Sequence, residues 1–200
     1  MPRSKSFDVD DALDAAVDLF WGKGYAATSM EDLVNHLGIN RGSLYATFGS
    51  KQALYERAVE RYAAGGRDWF SGTINDREVP LREAIKTALV SSAETCNHRG
   101  CLLVSTIMER NADDERSREL SSKALDELRA IATAAFESRR GELAFGVTAD
   151  RAADLMLVTM QGLRVVATTD SQIGADSTIQ TVLDTLAPEP PADGNRSREP

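Results

Sequence analysis

Two hundred residues make about one domain, or one small domain joined to a larger one, and 42% hydrophobic with 27% charged residues excludes a disordered or fibrous chain. The formal net charge of −8 weighs against a protein that coats a polyanion, because phosphate binding draws on Lys and Arg. By region the charge is −3 for residues 1–60, −4 for 61–187 and −1 for 188–200, so its distribution decides more than its total.

Met1 to Ser6 carries positive charge with no apolar run behind it, so no secretory signal is expected. Leu13, Ala16, Val17, Phe20 and Trp21 form one apolar stripe, predicting a first helix from about Val9 to Gly22. Gly22-Lys23-Gly24 ends it, since glycine takes positive φ readily. Thr28-Ser29-Met30-Glu31 reads as a capping box, with the Thr28 hydroxyl on the Glu31 amide and Glu31 reaching back. It opens a second helix to Leu37, closed by Gly38. Asn40 caps a short third helix from Arg41 to Thr47, and Ser50 caps a fourth running from Lys51 into the sixties.

Beyond Gly65-Gly66 the helical pattern resumes. Pro80 suits the first turn of a helix reaching about Cys96, and Gly100 separates it from a short apolar segment, Cys101 to Met108. A long amphipathic helix from about Asp113 to Arg140 turns Leu120, Ala124, Leu125, Leu128, Ile131, Ala132 and Ala135 inward. After a loop from Gly141 to Gly146, Thr148 starts another helix, and Ala175 to Leu186 supplies the last. Pro188 to Pro200 holds four of the six prolines and no large apolar residue, and is expected to be disordered. No strand alternation or internal repeat of useful length occurs. The expected fold is all-α.

Residues 28 to 55 have the proportions of a helix-turn-helix. Leu33 to Tyr55 is the longest stretch without an acid, and it carries His36, Arg41 and Lys51. Lys51 stands in the first turn of its helix, where the dipole disfavours a cation unless a phosphate joins it. At the start of the third helix Gly42 and Ser43 let the backbone approach base edges, and Arg41 can reach guanine O6 and N7. An ordinary helical hairpin would need none of this.

Phe20-Trp21-Gly22-Lys23-Gly24-Tyr25-Ala26-Ala27-Thr28-Ser29-Met30, followed by Leu37-Gly38-Ile39-Asn40-Arg41-Gly42-Ser43-Leu44-Tyr45-Ala46-Thr47-Phe48-Gly49-Ser50-Lys51, resembles the DNA-binding domain of the TetR family of bacterial transcriptional regulators. The resemblance covers about Phe7 to Tyr55. It implies an N-terminal three-helix bundle, residues 1–55, and a larger effector-binding and dimerisation domain, residues 56–187, before the tail 188–200. It also implies a homodimer that binds a palindromic operator, usually represses a neighbouring gene, and leaves when a small-molecule effector binds; the cytoplasmic compartment is expected separately, from two cysteines that make no disulfide framework. Position by position it places Thr28 and Lys51 on phosphate, Arg41, Gly42 and Ser43 on bases, and Tyr45 on a phosphate or a thymine methyl. Thr47 stands where the family more often has histidine or tyrosine, which leaves its backbone to serve. Leu33, Val34, Leu37, Ile39, Leu44, Phe48 and Tyr25 read as packing. Arg3 and Lys5 lie along the adjacent groove or are simply solvated.

In the second half, Leu155 to Val166 is apolar on nearly every face and needs partners on both sides. Either a symmetric copy packs there, through helices of about 148–170 and 175–187, or the helix is central in a monomer. Trp69, Phe70, Cys101, Met108, Phe136, Met156 and Met160 are effector-pocket candidates, each also a plain core residue. Cys101 follows Gly100 at a helix start beside His98 and Arg99, a setting that favours thiolate. It is either an oxidant or electrophile sensor, resolved by Cys96, or a small buried hydrophobe. Two cysteines make no disulfide framework, and His36 and His98 are too far apart in sequence for a metal hydrolase. No phosphate loop or nucleophile elbow occurs, no stretch is long and apolar enough for a membrane span, and no cofactor is expected. An enzyme is therefore excluded on sequence, and a helical protein-interaction module is the alternative to a DNA-binding regulator.

Overall fold

The computed structural model describes residues 7–94, 99–109, 114–169 and 172–189. Its helices are α1 (Val9–Lys23), α2 (Met30–Leu37), α3 (Arg41–Phe48), α4 (Lys51–Asn75), α5 (Leu81–Glu94), α6 (Leu102–Glu109), α7 (Glu115–Ser138), α8 (Ala149–Val166) and α9 (Ala175–Leu186), with a 3-10 turn at Arg140–Glu142. No strand occurs among the described residues, so the fold is all-α.

Each start has a local cause. Asp8 accepts from the amides of Asp10 and Asp11, Asn40 from Ser43, Ser50 from Ala53 and Thr148 from Arg151, each satisfying helix donors that have no partner within their helix. The capping box at α2 is shifted by one residue from the expected Thr28–Glu31 pair. Ser29 caps the Asp32 amide, and the Asp32 carboxylate returns to the Ser29 backbone. Thr28 is 1% exposed and its hydroxyl donates to the Gly24 carbonyl at 2.6 Å, so it closes the preceding turn instead. The second departure is α4. It runs unbroken through Gly65 and Gly66 to Asn75, although two interior glycines cost a helix roughly 1 kcal/mol each against alanine. Tertiary packing on α1, α5, α6 and α7 holds it in one piece.

Two apolar cores result. One gathers Leu13, Phe20, Leu33, Leu44, Phe48, Leu54, Tyr55 and Val59 of α1 to α4, and draws in Cys101, Leu103 and Ala124. The other joins Phe70, Ile85, Leu89, Phe136, Met156, Met160, Val182 and Leu186 across α4, α5, α7, α8 and α9. α4 contributes to both, and the boundary expected after Tyr55 falls inside it. The far end is tied by Arg139. Its buried guanidinium donates to the Asp76 and Val79 carbonyls at 2.9 and 2.7 Å and to both carboxylate oxygens of Glu142. Glu142 in turn accepts from the Leu81 amide at the start of α5. Leu120, Leu125 and Ile131 of α7 are only half-buried, while Ala124, Leu128, Ala132 and Ala135 face inward as expected. No helix among the described residues is long and apolar enough to cross a membrane. Cys96, His98, Arg3, Lys5 and the tail beyond Glu189 lie outside the described residues.

Candidate nucleic-acid interface

α2 and α3 meet at Gly38, whose φ of 64° suits glycine. Leu33, Ile39, Leu44 and Phe48 turn inward, and this fixes which side of α3 faces out. Arg41, Gly42, Tyr45 and Ala46 are exposed together, with Ser43 and Thr47 half-buried beside them. The Arg41 guanidinium lies 5.7 Å from the Tyr45 ring centroid, one turn on. This stacking pre-positions a planar fork at the start of the helix. Gly42 has an internal reason as well: a Cβ there would lie 3.3 Å from the Asn40 carboxamide oxygen that caps Ser43.

The surrounding charge is arranged to spare this face. Asp32, the last acid before α3, is held well below the usual carboxylate range by hydrogen bonds from Lys23 and then from Ser29. Its salt bridge to Lys23 is 2.6 Å long. His36 approaches Asp18 of α1 at 3.6 Å. Lys51 begins α4 and places its ammonium 4.1 Å from the Tyr25 ring centroid, so an aromatic face of this chain already offsets part of the unfavourable dipole. Tyr25 also packs edge-on to Tyr55 at 4.8 Å. Buried Thr28 presents no phosphate-binding surface, and exposed Ser29 occupies the helix start that sequence assigned to it.

The helix-turn-helix is locked to the rest of the chain around α6. Trp21 Nε1 donates to the Gly100 carbonyl at 3.0 Å, and Arg99 pairs with Asp18. Tyr55 and Thr106 share a buried hydroxyl contact of 2.8 Å. The Thr106 proton goes to the Leu102 carbonyl, so Tyr55 is the donor between them. Glu109 accepts from the Tyr25 and Ala26 amides at 3.2 and 2.7 Å. Gly24, at φ 79°, makes room for it, since a Cβ would sit 3.2 Å from the Glu109 carboxylate.

The effector candidates separate. Trp69, Phe70 and Met160 line a cavity of about 370 Å³ between α1, α4, α6, α7 and α8. Phe136 and Met156 are fully buried in the second core and do not line it. Met108 is 73% exposed, because α6 turns it outward while Leu102, Leu103 and Thr106 face in. Sequence reading missed Trp21, Arg61, Tyr62, Gly65, Gly66 and Arg164, which are also among its walls. The pairing of positions 61/62, 65/66 and 69/70 on one face of α4 was the available signal. Cys101 is buried, immediately before α6, with Arg164 Nη1 3.5 Å from its sulfur. It lines a separate recess with Arg99, Ser105 and Gln161. Among the described residues no cluster of His, Cys, Asp or Glu is suited to hold a metal ion.

Several known proteins are similar to this chain. Residues 12–58 match the sequence model of the bacterial regulatory proteins of the tetR family. YezE of Bacillus subtilis (strain 168), an uncharacterized HTH-type transcriptional regulator, is 32% identical over 136 residues, covering 64% of this chain and 69% of YezE. The HTH-type transcriptional repressor ComR of Escherichia coli (strain K12) is 48% identical over 60 residues, covering 30% of this chain and 29% of its own. Among solved structures, a cysteine mutant of the TetR family regulator CifR, complexed with 26bp double-strand operator DNA, superposes with a TM-score of 0.76 at 23% identity. That match spans 92% of this chain and 100% of the CifR chain and is a likeness of fold.

Proposed function

The chain belongs to the tetR family of bacterial regulatory proteins and is a transcriptional regulator rather than an enzyme; from that premise we propose that it is a repressor, binding a palindromic operator as a homodimer and released by a signal received in its C-terminal part. The observation that carries this is the exposed, acid-free side of α3. There Arg41, Gly42 and Tyr45 stand clear of the core while Leu44 and Phe48 anchor the helix. ComR is a repressor by name, and CifR has been seen on operator DNA.

In this reading Arg41 takes guanine O6 and N7 in the major groove, and Gly42 and Ser43 allow close approach to neighbouring bases. Tyr45 meets a phosphate or a thymine methyl, and Lys51 takes a phosphate. Ser29, exposed at the N-terminus of α2, assumes the phosphate contact first assigned to Thr28. Dimerisation is supported by α8. Its inner face buries Met156, Met160 and Leu163, yet Leu155, Val158 and Val165 remain 37%, 71% and 55% exposed on another. With Gly162 between them they form a second apolar stripe for a symmetric copy. The regulatory part starts within α4, whose last residues packed against the first core are Tyr62 and Ala63. Its effector cavity is the one lined by Trp69, Phe70 and Met160. Cys101, with Arg164 on its sulfur, supports an electrophile or oxidant input at the same junction.

The test is a footprint of the full chain on its own upstream DNA, with wild type and Arg41→Ala. Two protected half-sites about one helical turn apart, with preference relaxed at one position in each by the variant, are expected. Equal weakening at every sequence overturns the base assignment. For the cysteine, mild electrophile releases operator from wild type and not from Cys101→Ser. Equal release from both ends that part of the reading.

A further inference from the structure

The Lys51 ammonium rests over Tyr25, 4.1 Å from the ring centroid, and Tyr25 belongs to the turn after α1 rather than to α4. A cation held on an aromatic face follows that face, so whatever fixes Tyr25 also fixes where this charge stands. The turn does little of this by itself. Its neighbouring residues Ala26 and Ala27 are exposed and carry no side-chain donor or acceptor.

The constraint comes from α6. Thr106 and Glu109 stand three positions apart, on neighbouring turns of one side of that helix, and they reach Tyr25 in two ways. Glu109 holds its backbone: one carboxylate oxygen accepts from the Tyr25 amide at 3.2 Å and the other from the Ala26 amide at 2.7 Å. Two charge-assisted bonds to consecutive amides fix orientation as well as position. Thr106 holds the ring. Its buried hydroxyl accepts from Tyr55 at 2.8 Å, and Tyr55 packs edge-on to Tyr25 with centroids 4.8 Å apart. Phe20 closes the group, stacked on Tyr25 at 6.2 Å and edge-on to Tyr55 at 4.9 Å.

We infer that Glu109 is a positioning residue for operator binding: together with Thr106 it clamps Tyr25, and through Tyr25 it holds the Lys51 ammonium where a DNA phosphate meets it. A helix outside the helix-turn-helix thereby sets one of its DNA contacts. The effect on DNA rests on the phosphate contact proposed above for Lys51; the placement of Lys51 does not. The sign of the effect separates this role from simple charge. In a chain of net charge −8, removing an acid favours a polyanion by long-range electrostatics, so a carboxylate that contributed only charge would tighten DNA binding when lost. A carboxylate that positions Lys51 weakens it when lost.

Two measurements on the full chain test the inference. Isotope-labelled methyl groups added to the lysine amines keep their charge and report the placement of Lys51 by NMR without DNA, its signal assigned by its loss in Lys51→Arg. In the wild type the Tyr25 ring current shifts that signal upfield, and Tyr25→Leu removes the shift. Glu109→Ala moves the signal most of the way to the Tyr25→Leu position, and Glu109→Gln, which keeps one acceptor oxygen, moves it less. Should Glu109→Ala not fold, Glu109→Gln and Thr106→Val, which removes the acceptor for Tyr55, carry the same test. A signal that stays at its wild-type position in these variants overturns the inference. Binding to the chain's own upstream DNA across a salt series is measured in parallel. Glu109→Ala weakens it by about threefold or more, lowers the salt slope toward that of Lys51→Ala, and adds no further loss in the Lys51→Ala background. Equal or tighter binding by Glu109→Ala, or losses that simply add, overturns the action on DNA. Failure of the wild type to bind, with the methyl shifts as expected, counts against the regulator reading alone.

Discussion

In the Gly65→Ala, Gly66→Ala double variant, two residues inside a 25-residue helix lose the backbone freedom that glycine keeps in the unfolded chain. Each such change contributes about 0.5–1 kcal/mol when the native conformation suits alanine and nothing obstructs the methyl. Both conditions hold: neither glycine has a positive φ, and both methyls reach open space. The pair therefore stabilises the fold by about 1–2 kcal/mol. In a chain of this length each kcal/mol moves Tm by about 2–4 °C, so the midpoint rises by roughly 2–8 °C. Thermal and urea unfolding followed by circular dichroism measure it, with the urea m-value unchanged. A lower or unchanged midpoint would refute the reasoning, showing that the glycines bend α4 rather than leave room beside it.

Lys51→Ala weakens binding to all DNA sequences and reduces the slope of log K against log salt by about 0.9 per protomer; a slope equal to that of wild type contradicts the phosphate contact. Arg41→Ala instead costs about 1–3 kcal/mol at one operator base pair, read from a panel of single-base operator variants. Arg139→Met removes four hydrogen bonds from a buried guanidinium and destabilises by about 2–4 kcal/mol in urea unfolding. The hydrogen bond from Arg139, with that from the Leu81 amide, holds the Glu142 carboxyl below the usual carboxylate range. A depressed folded value gives stability that is present above the unfolded one and lost as pH falls through the folded one. Wild type therefore loses more stability than Glu142→Gln on acidification below about pH 4, measured by urea midpoints across a pH series.

The helices were legible because their signals are local. Asn40 and Ser50 cap the helices expected of them, and the stripe of Leu13, Ala16 and Phe20 is buried as its spacing predicts. The α2 cap slipped by one residue because Thr28 and Ser29 are equivalent as local signals. The choice was made by the Gly24 carbonyl, which takes the Thr28 hydroxyl, and by Asp32, which answers Ser29. Gly65 and Gly66 looked like a stop because propensity alone disfavours them. Packing of α4 against α1, α5, α6 and α7 overrides that preference. The cavity was the least legible part. Its walls come from α1, α4, α6, α7 and α8, and only the tertiary arrangement separates Trp69 and Met160, which line it, from Phe136 and Met156, which fill the core. Met108 was misjudged for the same reason, since residue type does not reveal which side of a short apolar helix meets solvent.

The charge distribution makes DNA binding a demanding claim, because the chain carries −8 overall and even residues 1–60 carry −3. Binding of the full chain to its own upstream DNA across a salt series tests it most directly. The account predicts tight, site-selective binding at low salt, a linear fall of log K with log salt, and weak binding to unrelated DNA. No binding at low salt, or equal binding to unrelated DNA of the same length, would contradict it and return the chain to the class of helical protein-interaction modules.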